Sequence, residues 1–347
     1  MRMRSVLAGA VAAVAMLSSG ARAQDITMAT FGGGVEKVWE AAFAQPFAGS
    51  AGVAVKIVPV PSPEAQLRNP ASRAQYNVAL VTYPQAANLL KDGLIETFTS
   101  AELPASAATD QKYLMKAPDG RLAGASPYFM FYGIAINTGQ AKKSDFASWA
   151  GLADPKWKGR LALTRPIYLS SYDMPIMAIA QGGSEKDIGP GVELLKKVAP
   201  NALTQYSSIA HMNGLLTRGE IAAGPYYSGR VWQLRQEGAK DVDIVIPKEG
   251  ALMIPYIVVV PKGAKNLPAV KKWLDFISTA QPQVRALELG GYFPLNQDAR
   301  MPAELEKDMG FTLKELLPRL HQPDWAVISA ADKERTNLAE QILAGAK

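Results

Sequence analysis

What most constrains this chain is a regular alternation of short β-rich runs with helical patterns, starting near Asp25 and continuing through most of its length. Residues 25–30, 53–60 and 76–82 are short and rich in β-branched residues. Between the first two lies 35–47, where Val35, Val38, Trp39, Ala42 and Phe43 fall at i, i+3, i+4, i+7 and i+8, which puts them on one helical face. A polar helical segment separates the second run from the third. Strands joined through helices rather than hairpins predict a parallel sheet with helices laid over it.

A second block of the same kind is expected over about 137–255. Its strands are at 160–164, 219–226 and 242–247, with helices at 174–181 and 192–198 between them. One more strongly apolar strand follows at 256–260. After it comes a helix at 268–279 whose Val270, Trp273, Leu274 and Ile277 share a face. Crossings near 134–137 and 254–257 would join the blocks as a hinge. The 347-residue chain is long enough for two cores, and there is no internal repeat.

Met1-Arg2-Met3-Arg4, the apolar stretch 6–17 and Ala21-Arg22-Ala23 read as a secretory signal peptide cleaved after Ala23. The apolar stretch is well short of the ~20 residues a membrane-spanning helix needs, and Pro255 and Pro261 interrupt the later run 256–260. A soluble exported protein is the expectation. The sequence contains no cysteine, so neither a disulfide framework nor a lipid-attachment thiol is expected. Part of the net charge of +6 comes from Arg2, Arg4 and Arg22. The remainder is nearly balanced, and no basic run interleaved with aromatics marks a nucleic-acid surface.

Catalytic chemistry has no anchor in the sequence. His211 and His321 lack a second histidine or a cysteine partner, so no metal site of ordinary ligand type is expected. The mature chain has no G-x-S-x-G elbow, S-x-x-K pair or phosphate-binding glycine loop. No catalytic residue and no cofactor are expected. What the chain does offer is aromatic hydroxyls where loops leave strands: Phe31, Tyr83, Tyr128, Tyr132, Tyr168, Tyr172, Tyr226, Tyr227 and Tyr256. In open α/β sheets ligands bind outside the carboxyl ends of strands. Gly32-Gly33-Gly34 stands between the first strand and first helix, either as a simple chain reversal or as a place where free backbone N–H groups meet a ligand.

Residues 25–34, 76–84, 126–137 and 219–229, with Trp157-Lys158-Gly159-Arg160, Pro247-Lys248-Glu249-Gly250 and Gly290-Gly291-Tyr292-Phe293-Pro294, resemble the spermidine/putrescine-binding branch of bacterial ABC-importer solute receptors. The resemblance implies a two-lobed α/β periplasmic-binding-protein fold, each lobe a mixed or parallel sheet flanked by helices, with the ligand cleft between lobes. Lobe 1 would be 24–136 plus 257–296, and lobe 2 would be 137–256 plus 297–347. It also implies a monomer in the periplasm that captures a small solute by closing on it and hands it to a transmembrane permease. The ligand-contacting set is expected to be Phe31, Gly33, Gly34, Tyr83, Tyr128, Arg165, Ser170, Ser171, Tyr226, Tyr227 and Tyr256.

This sequence departs from the polyamine pattern where that pattern places carboxylates. The strand 161–164 is followed by Arg165-Pro166-Ile167-Tyr168-Leu169-Ser170-Ser171 instead of acidic residues, Tyr256 stands in a second acidic slot, and Tyr227 replaces a tryptophan. Like charges 4 Å apart repel by about 4 kcal/mol at an effective dielectric of 20. An Arg165 facing the cleft would therefore reject a polyammonium and favour an anionic or zwitterionic solute. The rival ligands are spermidine or putrescine, and ferric iron through Tyr226 and Tyr227. A rival of another class is a secreted α/β hydrolase.

Overall fold

The computed structural model describes residues 25–346; the expected signal segment 1–23 lies outside the described residues. Eleven strands form one mixed sheet: β1 Ile26–Thr30, β2 Val55–Pro59, β3 Val78–Thr82, β4 Ala125–Asn137, β5 Leu161–Leu163, β6 Ala202–Gln205, β7 Ala223–Tyr227, β8 Val242–Val245, β9 Ala251–Val259, β10 Phe293–Pro294 and β11 Leu320–His321. The main order is β2-β1-β3-β9-β4-β7-β5-β6, with β8 and β10 on β4 and β11 on β9. In the first half β2, β1 and β3 are parallel. In the second, β7, β5 and β6 are.

Strands β4 and β9 belong to both halves. All 13 residues of β4 and all 9 of β9 are buried. From Ala125 to Tyr132 the first of them pairs antiparallel with β9, and from Tyr132 to Asn137 it pairs with β7 and β8. Strand β9 in turn pairs with β3 from Tyr256 to Val259. Such strands cannot alternate apolar-in and polar-out, so they read as unbroken apolar runs.

The helix predicted at 35–47 runs as Val35–Trp39, a π-helical turn Glu40–Ala44, and Gln45–Ala51. Its buried face stacks Trp39 on Phe43 at 4.5 Å and sets Trp39 against Tyr128 and Trp273. Trp273 comes from the helix Leu267–Ile277, on which Val270, Trp273, Leu274 and Ile277 are buried. A second π-helical turn, Leu169–Asp173, lies between the short helix Pro166–Tyr168 and the helix Met174–Ala180. Hydrophobic periodicity does not reveal these turns, because each adds a residue to the 3.6-residue repeat. Among the described residues, no helix is long and apolar enough to cross a membrane.

The motifs on which the family resemblance rests turn out to hold the scaffold together. Trp157 stacks on Phe146 at 5.0 Å beneath the Lys156 ammonium. Asn296 donates to the Ser278 carbonyl at 2.8 Å, and the N–H groups of Leu295 and Asn296 donate to Gln283 Oε1. In the Pro-Lys-Glu-Gly turn, Glu249 accepts from Ser148 Oγ at 2.6 Å, and the Gly250 carbonyl accepts from Trp149 Nε1 at 2.8 Å. Gly250 has φ +97°, and a Cβ there would stand 2.7 Å from the Arg319 carbonyl oxygen. Gly250→Ala should therefore destabilise the chain by about 1–3 kcal/mol, seen as a lower urea midpoint. Gly49→Ala, in a helix with open space around it, should leave the midpoint level or raise it. Equal midpoints for the two variants would mean that the turn imposes no such constraint.

Where β4 passes from one half to the other, Tyr132 donates to Asp173 Oδ2 at 3.0 Å. Asp173 is wholly buried, and its Oδ1 has no partner. Burial raises this carboxyl to about 8. Between about 4 and about 8 the folded chain keeps a proton at Asp173 that the unfolded chain has lost, so this group makes stability fall as pH rises through that window. Asp173→Asn should flatten the decline in melting temperature between pH ~5 and ~8. Parallel profiles for both proteins would mean that Asp173 is ionised when folded.

Candidate functional site

The parallel strands of both halves point their carboxyl ends at one cavity of about 530 Å³, the position expected for ligands in α/β sheets. Its walls follow from where those strands stop. Phe31 and Gly32 come directly after β1, and Thr82, Pro84 and Gln85 from the end of β3. Tyr227 ends β7, while Tyr128, Met130 and Tyr256 come from the shared strands. Tyr168, Ser171 and Tyr172 enter from around the second π-helical turn, Tyr292 from the loop before β10, and Asp332 from the first turn of the C-terminal helix.

Packing orients the rings. Tyr128 stacks on Tyr292 at 4.6 Å, and its hydroxyl accepts from Trp39 Nε1 at 2.9 Å. Tyr256 meets Phe31 edge-on at 6.1 Å. Tyr168 and Tyr172 stack nearly parallel at 5.9 Å, with Tyr227 edge-on to Tyr172. Burial pushes the phenols of Tyr128, Tyr172, Tyr227 and Tyr256 well up, so they act as neutral hydroxyls that can donate as well as accept.

Of the eleven residues expected to contact ligand, Phe31, Tyr128, Ser171, Tyr227 and Tyr256 line the cavity. Tyr83 is buried in the core, its hydroxyl donating to the Tyr113 carbonyl and bonded to Ser126 Oγ. Ser170 is buried beneath the wall and donates to Asp332 at 2.7 Å. Gly33 and Gly34 adopt positive φ at the turn into the first helix. It is the Gly33 carbonyl that is engaged there, accepting from Arg230, while the Gly34 N–H is taken by Glu36.

Arg165 does not line the main cavity. Its guanidinium lies over the Tyr168 ring at 5.1 Å, in a small side pocket with Thr164, Tyr206 and Ser208. Tyr226 and Tyr227 do not act as a pair: the Tyr226 hydroxyl donates to Asn213 Oδ1 at 2.8 Å in the neighbouring helix, and Tyr227 alone faces the cavity. Successive residues on a strand point to opposite faces. Among the described residues, no cluster of three His, Cys, Asp or Glu side chains could hold a metal ion. The side chains of His211 and His321 are bonded locally, to the Ser207 N–H and the Glu249 carbonyl.

The charged residues that sequence reasoning missed are Arg230 and Asp332. Arg230 sits in the first turn of the helix Ser228–Gln236, directly after β7, and is only 7% exposed. Nη1 donates to the Gly33 carbonyl at 2.6 Å and to Gln233 Oε1 at 3.0 Å. No carboxylate pairs with it among the described residues. A buried cation without a counter-ion is costly, and a cation at the positive end of a helix adds to that cost. An anionic guest relieves both. The sequence does place Arg230 three residues beyond Tyr227, but its burial depends on a helix starting there and on the first-strand loop packing over it.

The model of the family described as bacterial extracellular solute-binding protein matches residues 42–312. The spermidine/putrescine-binding periplasmic protein 1 of Haemophilus influenzae is 25% identical over 270 residues, which is 75% of this chain and 73% of that one. The Escherichia coli spermidine/putrescine-binding periplasmic protein is 27% identical over 214 residues, 60% of each. In fold, the chain is similar to a solved Streptococcus pneumoniae spermidine/putrescine ABC transporter substrate-binding protein, with a TM-score of 0.76 at 17% identity, covering 93% of this chain and all of that one. The mixed α/β architecture is that of the two-lobed solute receptors, and the chain belongs to the bacterial extracellular solute-binding protein family.

Proposed function

We propose that this chain is the substrate-binding component of an ABC importer and that it captures a small organic solute carrying an anionic group. The two lobes, taken as 24–136 plus 257–296 and 137–256 plus 297–347, close on the solute, and a transmembrane permease recognises the closed form. The observation that carries the reading is the Arg230 guanidinium, buried at the cavity wall and without a carboxylate. Its planar fork fits a carboxylate or phosphonate in bidentate fashion, and neutral tyrosine hydroxyls around it can donate to the same oxygens. Because Arg230 reaches from the second half to the Gly33 carbonyl of the first, an anion at this point would draw both halves together. Family membership and the receptor fold support the transport role.

A second reading, polyamine binding, draws support from the Haemophilus influenzae and Escherichia coli relatives and from the two carboxylates that line the cavity, Glu64 and Asp332. Glu64 is already bound to Arg68 at 2.9 Å, and an ammonium near Arg230 would be repelled. A thermal-shift screen of the mature protein over alkyl carboxylates, amino acids, phosphonates, polyamines and Fe(III) separates the readings. An anion-bearing compound at a hundred times its dissociation constant should add ~2.7 kcal/mol of stability. Arg230→Gln should abolish that shift while the ligand-free melting temperature stays close to that of the parent. A shift with spermidine or putrescine alone would overturn the anion assignment. A shift unchanged in Arg230→Gln would move the anchor elsewhere.

A further inference from the structure

Arg230 has an opposite in the same cavity. Asp332 opens the helix Asp332–Gly345, and its Oδ1 accepts from Ser170 Oγ at 2.7 Å and Ser171 Oγ at 3.2 Å. No described residue donates to Oδ2, and Asp332 makes no ion pair among the described residues. The nearby cation Arg335 is turned away, donating to the Glu185 carbonyl at 2.6 Å. The two serine hydroxyls fix the direction of the carboxylate.

Aromatic faces stand beside this carboxylate. Tyr172 is close enough for the Asp332 charge to contribute to holding its phenol up, after burial and the neighbouring tyrosines. Tyr168 and Tyr172 are stacked parallel, with the Arg165 guanidinium over the Tyr168 ring, and Tyr227 closes the corner edge-on to Tyr172. A carboxylate beside a cluster of neutral phenols is a site for an ammonium group, by ion pairing and with phenol oxygens as further acceptors. Arg230, by contrast, is held at the Gly33 loop and beside Gln233. Two opposite charges thus share one cavity of about 530 Å³ without neutralising each other.

We propose that the solute is a zwitterion, with its carboxylate or phosphonate on Arg230 and its ammonium on Asp332 within the tyrosine corner. This rests on the anion assignment above and narrows it: a simple dicarboxylate would meet Asp332 with like charge, and a diamine would meet Arg230 with like charge. A guest with one pole of each sign satisfies both groups.

Titration calorimetry on the mature protein tests it with a graded series of linear ω-amino acids, the matching aminophosphonates, the matching alkyl carboxylates and the matching diamines. At least one amino acid or aminophosphonate should bind ten-fold or more tighter than its counterpart lacking the amine, which needs no variant to observe. In Asp332→Asn, which keeps the acceptor for Ser170 and Ser171, that advantage should shrink to about three-fold or less. The two anion series tell a carboxylate from a phosphonate. Amine-free acids binding as tightly as their amino counterparts would overturn the zwitterion while leaving the anion site standing. An advantage undiminished in Asp332→Asn would remove Asp332 from the ammonium site. Binding by diamines alone, or by no member of any series, would overturn the anion assignment itself.

Discussion

Two strands common to both halves, β4 and β9, govern the arrangement of everything else. Their antiparallel register sets Tyr128 opposite Tyr256 and Tyr132 opposite Leu252. Their burial is complete. With both faces covered, the backbone N–H and C=O groups need partners within the protein, in the sheet or, for the Phe131 N–H, at Ser228 Oγ, and slipping by one residue would turn each side chain to the wrong face. The two aromatic residues of the cavity floor are held by that register.

Around that floor the cavity is assembled from strand ends, and its polar character comes from a few groups that burial has changed. The phenols remain neutral because ionising them in a low-dielectric wall is costly. Arg230 remains charged because guanidinium does not lose its proton in proteins. The site therefore combines hydroxyls that adapt with a fixed cation, Arg230, and two carboxylates, Glu64 paired with Arg68 and Asp332 held by two serines. The segments that mark the family, the tryptophan-lysine-glycine run and the Pro-Lys-Glu-Gly turn, lie in the supporting frame.

Much of the frame was legible from the residues. The five-residue face of the first helix and the Val270, Trp273, Leu274 and Ile277 face of the later one are buried as their spacing requires. The strands near 26, 55, 78 and 242 fall where β-branched residues recur, and those near 161 and 223 fall within short apolar runs between helical patterns. The long strand β4 was not read as a strand; its residues 126–137 were marked only by their likeness to the family. It reads as a continuous apolar run with aromatic residues, for which period gives no guide. The site was legible in part: aromatic residues at strand ends were found because alternation of strand and helix already says where strands stop. Tyr83 and Tyr226 failed that inference because a ring at a strand end can turn into the core as readily as toward a ligand.

The sequence by itself determined the α/β alternation and the absence of cysteine. These are local properties, set by residue type and spacing. Only the tertiary structure decided that Arg230, rather than Arg165, is the cation of the cavity, and that Asp332 from the far end of the chain faces the same space. The physical reason is that a side chain's charge is written in the sequence, whereas its burial and its lack of a partner depend on which distant segments pack against it.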